Sequence, residues 1–274
     1  MQLVATVGQA TDLEAAVSAL VTTAGMTAAE GRMRLAPEPP AVLARLAADR
    51  ALAVVAALVQ AGLPALTIDE RVPSDADRFH ARSFAFEPAG ARLTARDGET
   101  LTLPWDEVRL VLRGIRTART TSEHTETSRK LALGRAVLTG GLVMTKKTTS
   151  TVRGSEEESE QFVLVHGRTG QRVMLGENAL EFSGLGPLLQ PARTANIGVL
   201  AQEVRRRTPQ AFHDDRLVRL GRRALPFVLG GDSVTRSAGT EVRRTDTRGS
   251  VDVLAEVLDQ AVQTGLLGGT TARR

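Results

Sequence analysis

The segment Ala91–Gly114, with the sequence ARLTARDGETLTLPWDEVRLVLRG, constrains the fold of this chain more than any other stretch. Two runs of alternating apolar and polar residues flank Asp97-Gly98, a pair that is typical of a tight β-hairpin turn. Pro104 has no N–H to donate to a strand ladder, so the second strand should end there. Trp105, the only tryptophan, follows before a third strand begins at Val108. The segment predicts a hairpin and a corner packed by Trp105, which together start a β-rich core.

Before that segment, residues 1–70 alternate between strand and helix signals. Gln2–Val7 is a short apolar strand, and the next two helices begin at the capping boxes Thr11-Asp12-Leu13-Glu14 and Thr27-Ala28-Ala29-Glu30. A third helix, rich in Ala, Val and Leu, stops at Gly62, a residue type that is common just after the last helical turn. The order β-α-α-β-α-β predicts a small α/β domain.

This order, together with the turn at Gly25–Glu30 and the helix end at Leu58–Gly62, resembles the C-terminal domain of ribosomal stalk protein L7/L12. The adaptor ClpS has a similar architecture. The resemblance covers roughly residues 1–69. The stalk domain binds its factors through lysine-rich helices, whereas Asp12–Thr23 contains neither Lys nor Arg. The acidic pair with which ClpS holds the amino terminus of a peptide is also missing. The resemblance therefore implies a fold and carries no function to this chain.

Residues 78–229 predict a second, β-rich domain after the polar, proline-containing link 71–77. Its short alternating strands, the stretch LPWDEVRLV and a helix from about Thr194 to Arg207 resemble the bacterial pleckstrin-homology-like (PH-like) barrel. The resemblance implies an antiparallel barrel that is filled by aliphatic side chains and closed by that helix. Two polar segments, Thr120–Lys130 and Gly154–Gln161, are predicted to be solvated loops.

The chain ends in a predicted flexible linker, 230–249, and an amphipathic helix over 250–265. Ser250 is a favourable N-cap for that helix. A helix of this length is marginal alone in water, so it must pack on its own chain or in the groove of a partner. Its predicted partner-docking face consists of Leu254, Val257, Leu258 and Val262. The predicted fold class is therefore α+β: a small β-α-α-β-α-β domain, an antiparallel PH-like barrel closed by a helix, and a tethered C-terminal helix.

The composition excludes several classes of protein. There are no cysteines, so disulfides, thiolate metal sites and cysteine nucleophiles are excluded. No run of about 18 apolar residues is present, so we expect no membrane-spanning helix. The N-terminal residues lack a basic region followed by a long apolar one, so a secretory signal is not expected. These features predict a cytoplasmic bacterial protein.

The sequence contains no recognisable catalytic or metal-binding pattern. The four histidines, His80, His124, His166 and His213, lack the spacing of metal ligands and are predicted to lie on the surface or at strand edges. Neither a dinucleotide fingerprint nor a nucleophile elbow occurs. We therefore predict no catalytic residue, no cofactor and no metal. An enzyme whose site lies in a barrel cleft without a motif stays open as a third possibility.

Positive charge is concentrated after residue 90. Residues 1–90 carry a net charge of −3 within a total of +4, so the remainder carries +7. Arg205, Arg206 and Arg207 form the predicted anion-binding patch, because arginine binds phosphates and carboxylates in a bidentate manner. They begin a longer arginine-rich segment, 205–223. Few aromatic residues accompany them, which disfavours a platform for single-stranded nucleic acid, and a solvated helix face is the alternative interpretation.

Together these features predict a non-catalytic protein-protein interaction or adaptor protein. The alternative function is nucleic-acid or anion binding through segment 205–223. The sequence leaves open the identity of the partner, the oligomeric state and whether the C-terminal helix docks in cis or in trans.

Overall fold

The computed structural model describes residues 1–131, 145–223, 225, 232–237 and 240–268. These ranges form two β-sheets and several helices, so the architecture is mixed α+β as predicted. Among the helices of the described ranges, none combines the length and the apolar character needed to cross a membrane.

The first sheet forms within residues 1–69 in the predicted order. Its elements are β1 (Gln2–Thr6), α1 (Leu13–Ala24), α2 (Ala28–Leu35), β2 (Ala41–Leu46), α3 (Ala48–Gln60) and β3 (Ala65–Asp69). The central strand β1 pairs antiparallel with both β2 and β3. The capping box between Thr27 and Glu30 forms as predicted, whereas α1 is capped by Asp12, which accepts the N–H of Ala15 at 3.0 Å.

The two faces of this sheet pack against different helices. Successive residues of a strand point to opposite faces, so Val4 joins a core with Leu20 of α1 and Leu58 of α3. On the opposite face, Leu3 joins a core with Ile68 and with the C-terminal helix α6 (Arg248–Gln263). The sheet is therefore covered on both sides.

Within the described ranges, the second sheet has nine strands. They are β4 (Phe79–Phe86), β5 (Gly90–Ala95), β6 (Thr100–Pro104), β7 (Val108–Leu131), β8 (Thr145–Gly167), β9 (Arg172–Gly176), β10 (Phe212–Asp214), β11 (Asp232–Ser237) and β12 (Thr240–Asp246). The order along the sheet is β11-β12-β7-β8-β9-β4-β5-β6, and β10 lies beside β7.

This sheet curls into an open half-barrel, so the predicted closed barrel is wrong. Within the described ranges, the strands at the two ends of the sheet, β6 and β11, do not pair with each other. Helix α4 (Arg193–Arg207) covers the inner face, where Leu200 and Val204 join Val108 and Val165 in one core. The closing helix of the prediction thus lies over a half-barrel.

The hairpin predicted at Asp97-Gly98 forms between β5 and β6. Gly98 has a φ of +91°, a conformation that favours glycine, and Asp97 accepts the N–H of Glu99 at 3.0 Å. Trp105 packs at the following corner, where its ring centroid lies 5.7 Å from that of Phe86. Its indole N–H donates to the carbonyl of Glu87 at 3.0 Å. Trp105 is therefore a packing anchor, as predicted.

Both polar segments that were predicted to be loops lie in the longest strands. Thr120–Lys130 belongs to β7 and Gly154–Gln161 to β8, and the two strands pair antiparallel out to Leu131 opposite Thr145. Threonine is β-branched and fits an extended, half-exposed strand, so low apolar content does not prevent ladder formation here.

The predicted linker 230–249 contains a β-hairpin, although the sequence of the segment shows no strand periodicity. Strands β11 and β12 pair with each other, and β12 continues the sheet alongside Ala118–His124 of β7. Residues 230–231 and 238–239 of the predicted linker lie outside the described residues. The hydroxyl of Thr247 accepts the N–H of Thr117 at 2.9 Å, which fixes the start of α6 against β7. The C-terminal helix is therefore not tethered at a distance.

Candidate functional site

Helix α6 carries the residues that were predicted to dock a partner, and the chain itself covers most of them. Leu254, Val257 and Leu258 are at most 1 % exposed, whereas Val262 is half-buried. Leu254 and Leu258 pack against the outer face of the half-barrel, and Val257 packs against the three-stranded sheet. The helix therefore docks in cis, and this face is not open to a partner.

A second stripe of α6 is acidic and pairs with arginines from the rest of the chain. Its three acids are four and three positions apart, which places them on one side of the helix. The pairs are Arg78–Asp252 at 2.6 Å, Arg172–Glu256 at 3.0 Å and Arg109–Asp259 at 2.7 Å. Burying a charge is costly unless it is paired, so these contacts fix the position of the helix.

Asp259 is the most deeply buried of these acids, with a side chain that is 0 % exposed. Nη2 of Arg109 donates to its two oxygens at 2.7 and 3.0 Å, and Nε2 of Gln263 donates at 3.0 Å. Nδ1 of His166 lies 3.1 Å from Oδ2. Burial works to raise the pKa of Asp259, but His166 and Arg109 outweigh burial and hold the pKa below its usual value. Asp259 is therefore ionised at neutral pH.

A β-bulge brings Arg109 to this face. The register between β7 and β8 shifts between Val108 and Leu110, which leaves Arg109 as the extra residue. Val108 belongs to the inner core and Leu110 to the outer one, so the extra residue can point towards α6 beside Leu110. His166 lies opposite Leu110 and is 2 % exposed. The prediction of a surface or edge histidine is wrong at this position.

A cleft of about 660 Å³ opens beside this ion-pair cluster, at the C-terminal end of α6. It is bounded by the bulge on β7, the β8–β9 turn, the connection from α4 to β10 and the residues that follow α6. Its polar lining consists of Arg109, Arg168, Gln210 and Gln263, and its apolar lining includes Phe212, Val262 and Leu267. The volume lies within the range of small-ligand and side-chain pockets.

The described lining of the cleft offers charged and amide donors and no carboxylate. Asp259, which does not line the cleft, neutralises the charge of Arg109. The net positive charge of the described lining therefore comes from Arg168. Arg168 is exposed, and its Nε donates to the carbonyl of Asp106 at 3.3 Å, which holds the guanidinium at the rim. Gln210 is held in place by the carbonyl of Trp105. The cleft is suited to a ligand that accepts hydrogen bonds and carries negative charge.

Of the three arginines in the predicted anion patch, one packs against the chain and two are exposed. The guanidinium of Arg207 lies 4.3 Å from the ring centroid of Phe86 and pairs with Glu203. Arg206 reaches the same carboxylate at 3.1 Å, and these bonds from Arg206 and Arg207 lower the pKa of Glu203. Arg205 and Arg206 are exposed. Arg207 is thus tied to the corner of the half-barrel, and the other two residues face solvent.

The described lining of the cleft is suited to binding a ligand. Among the described residues, no three His, Asp or Glu side chains come close enough to hold a metal ion. The described lining of the cleft contains neither a nucleophile nor a base. Known proteins give no further guidance, because no family model matches the chain and no curated protein or solved structure does either.

Proposed function

We propose that this chain is a non-catalytic interaction protein whose cleft at the end of α6 binds an acidic segment of a protein partner. The observation that supports the proposal is the described lining of the cleft, which includes the exposed guanidinium of Arg168 and no carboxylate. A carboxylate of the partner would accept hydrogen bonds from Arg168, and an apolar neighbour would contact Phe212, Val262 and Leu267. An adaptor role needs only such a recognition site.

The proposed binding site lies at the C-terminal end of α6, and the docking face predicted from the sequence lies on the same helix. Three of the four predicted docking residues are covered by the chain, but Val262 is half-buried and lines the cleft. The partner would therefore contact the end of the helix and leave the packed face in place.

Affinity purification from the native host tests this proposal. The amount of captured partner is compared between the wild type and two variants. Arg168→Glu reverses the charge at the rim of the cleft, and we expect it to abolish capture of the partner. Arg92→Glu is the matched control, because Arg92 is also an exposed arginine but lies on β5, with Glu87 at 3.0 Å. A partner that the wild type and both variants capture equally would rule out the cleft as its binding site.

Nucleic-acid binding through segment 205–223 remains the second proposal, and the exposure of Arg205, Arg206, Arg222 and Arg223 favours it. The test is retention of duplex DNA or RNA over a salt series, compared between the wild type and Arg205→Gln/Arg206→Gln. This variant leaves the packing of Arg207 intact. A retention that falls steeply with salt and is lost in the variant supports the proposal, and salt-independent or absent retention refutes it.

Two parts of the chain also have a proposed likeness to known architectures. We propose an L7/L12-like arrangement for residues 1–69 and a PH-like arrangement for the half-barrel, in a protein of the cytoplasm. Solving the structure of a relative with a known role would test both likenesses. Neither likeness is used to assign a ligand, since one fold serves many functions.

A further inference from the structure

Strand β8 has one edge without a partner strand. It pairs with β7 along its whole length but with β9 only over Phe162–His166. In the part of the chain that the structure describes, no strand pairs with the outer edge of Thr145–Ser159. The backbone groups of such an edge form a template to which another strand can add.

The sequence of this edge is polarised in charge. Lys146 and Lys147 stand at the start of β8, whereas Glu156, Glu157 and Glu158 stand near its middle and are exposed. Val152 lies halfway between the two groups and is the only Ala, Val, Leu, Ile, Met or Phe residue within Thr145–Ser159. A strand with opposite charges at equal distances from its centre is complementary to an antiparallel copy of itself.

We propose that two copies of this chain form a dimer by antiparallel pairing of the outer edges of β8, with the two-fold axis at Val152. This register brings Lys146 opposite Glu158 of the second copy and Lys147 opposite Glu157. Symmetry repeats both pairings, so four oppositely charged pairs form. Val152 stands opposite its own copy, which is a favourable β-branched pairing.

Neighbouring registers are less complementary. The two-fold axis pairs positions that are equally far from it, so shifting the axis by one residue changes every pairing. An axis at Thr151 leaves Lys147 opposite Ser155, and an axis at Arg153 places that arginine against its own copy. Charge therefore selects Val152 among these three registers.

The ladder within one chain favours the same partner. Its register places Arg129 opposite Lys147 and Lys130 opposite Lys146, two adjacent pairs of like charge. Like charges directly opposite each other destabilise a sheet. In the proposed register, Glu157 and Glu158 of a second copy would supply negative charge next to these positions.

Disulfide trapping tests the register directly, because the natural chain has no cysteine. Val152→Cys would place two thiols opposite each other across the axis, at a Cα separation of about 4.5–5.5 Å that allows a disulfide. Thr148→Cys is the matched control, because its two copies would be about 27 Å apart along the strands. We expect the first variant to form a covalent dimer on mild oxidation and the second to stay uncrosslinked.

Charge reversal gives an independent measurement by sedimentation of the full chain. Lys146→Glu/Lys147→Glu should weaken dimerisation on the order of a hundredfold, and adding Glu157→Lys/Glu158→Lys to the same chain should restore it. Glu99→Lys/Asp106→Lys, which changes exposed acids in the two connections that flank β6, should have no effect. A wild-type chain that is monomeric at all concentrations overturns the proposal. A dimer that Val152→Cys does not crosslink and that charge reversal leaves unchanged also overturns the proposal. Pairing of this edge with a strand of another protein, in place of a second copy, overturns it as well.

Discussion

The substitution Asp259→Asn tests whether the acidic stripe holds α6 in place. It removes the negative charge that receives three guanidinium hydrogen bonds from Arg109 and faces His166, while it keeps the size of the side chain. Among the described residues, Asp259 supplies the only carboxylate that pairs with Arg109. The variant therefore isolates the value of the pair from that of packing.

The structure sets the expected magnitude. Removing one partner of a buried ion pair costs about 3–5 kcal/mol, because the remaining charge stays buried without compensation. The side chain of Arg109 is 17 % exposed and can reach some water, so we expect a loss of about 3 kcal/mol in the free energy of unfolding. For a chain of this length, that loss corresponds to a fall of about 5 °C in the melting temperature.

Urea unfolding and differential scanning calorimetry at pH 7 measure the loss. Glu181→Gln is the control, because its pair with Arg82 is about half exposed on both sides and is worth about 0–1 kcal/mol. If Asp259→Asn costs no more than Glu181→Gln, the buried stripe does not fix α6, and the interpretation of the helix as locked in place is refuted.

Three further predictions concern titration and packing. Because the pKa of Asp259 is lowered, its stabilisation is present above its usual value of 3.8 and is lost as the pH falls below it, so the deficit of Asp259→Asn should vanish in acid. Burial raises the pKa of Asp252 instead. The contribution of Asp252 to stability is therefore fully present below pH 3.8 and is lost as the pH rises through the raised pKa. Unfolding curves of the wild type and Asp252→Asn over pH 3–7 test this sign. Gly114→Ala should cost about 1–3 kcal/mol, because its Cβ would lie 2.3 Å from Cζ of Phe162. Gly198→Ala in α4 is its control and should gain roughly 0.5–1 kcal/mol, since the nearest atom outside the helix backbone, Nη2 of Arg113, lies 3.9 Å from the added Cβ.

Elements with strong local signals could be predicted from the sequence. The hairpin at Asp97-Gly98 requires a glycine with positive φ, and the box at Thr27 satisfies backbone donors within four residues. Both signals depend only on neighbours in the chain. The element order of residues 1–69 follows from local signals of this kind, which mark where helices begin and end. The structure has the same element order.

Elements that depend on distant partners could not be predicted. Thr120–Lys130 has the composition of a loop, and it is a strand because β8 and β12 supply ladder bonds from far along the chain. The hairpin within 230–249 is missed for the same reason. The cleft depends on a bulge at Arg109 and on a turn at Arg168, and neither feature has a sequence signal that links it to α6.

The burial of α6 also limits where a partner can bind. Exposing Leu254, Val257 and Leu258 to make a docking face would cost about 5–9 kcal/mol, at about 1.5–3 kcal/mol for each side chain. That cost would weaken binding by more than about a thousandfold before any ion pair of the acidic stripe was broken. A partner that contacts the end of the helix, where Val262 lines the cleft, bears none of this cost. The energetics of the fold therefore favour the cleft over the packed face, although both belong to the same helix.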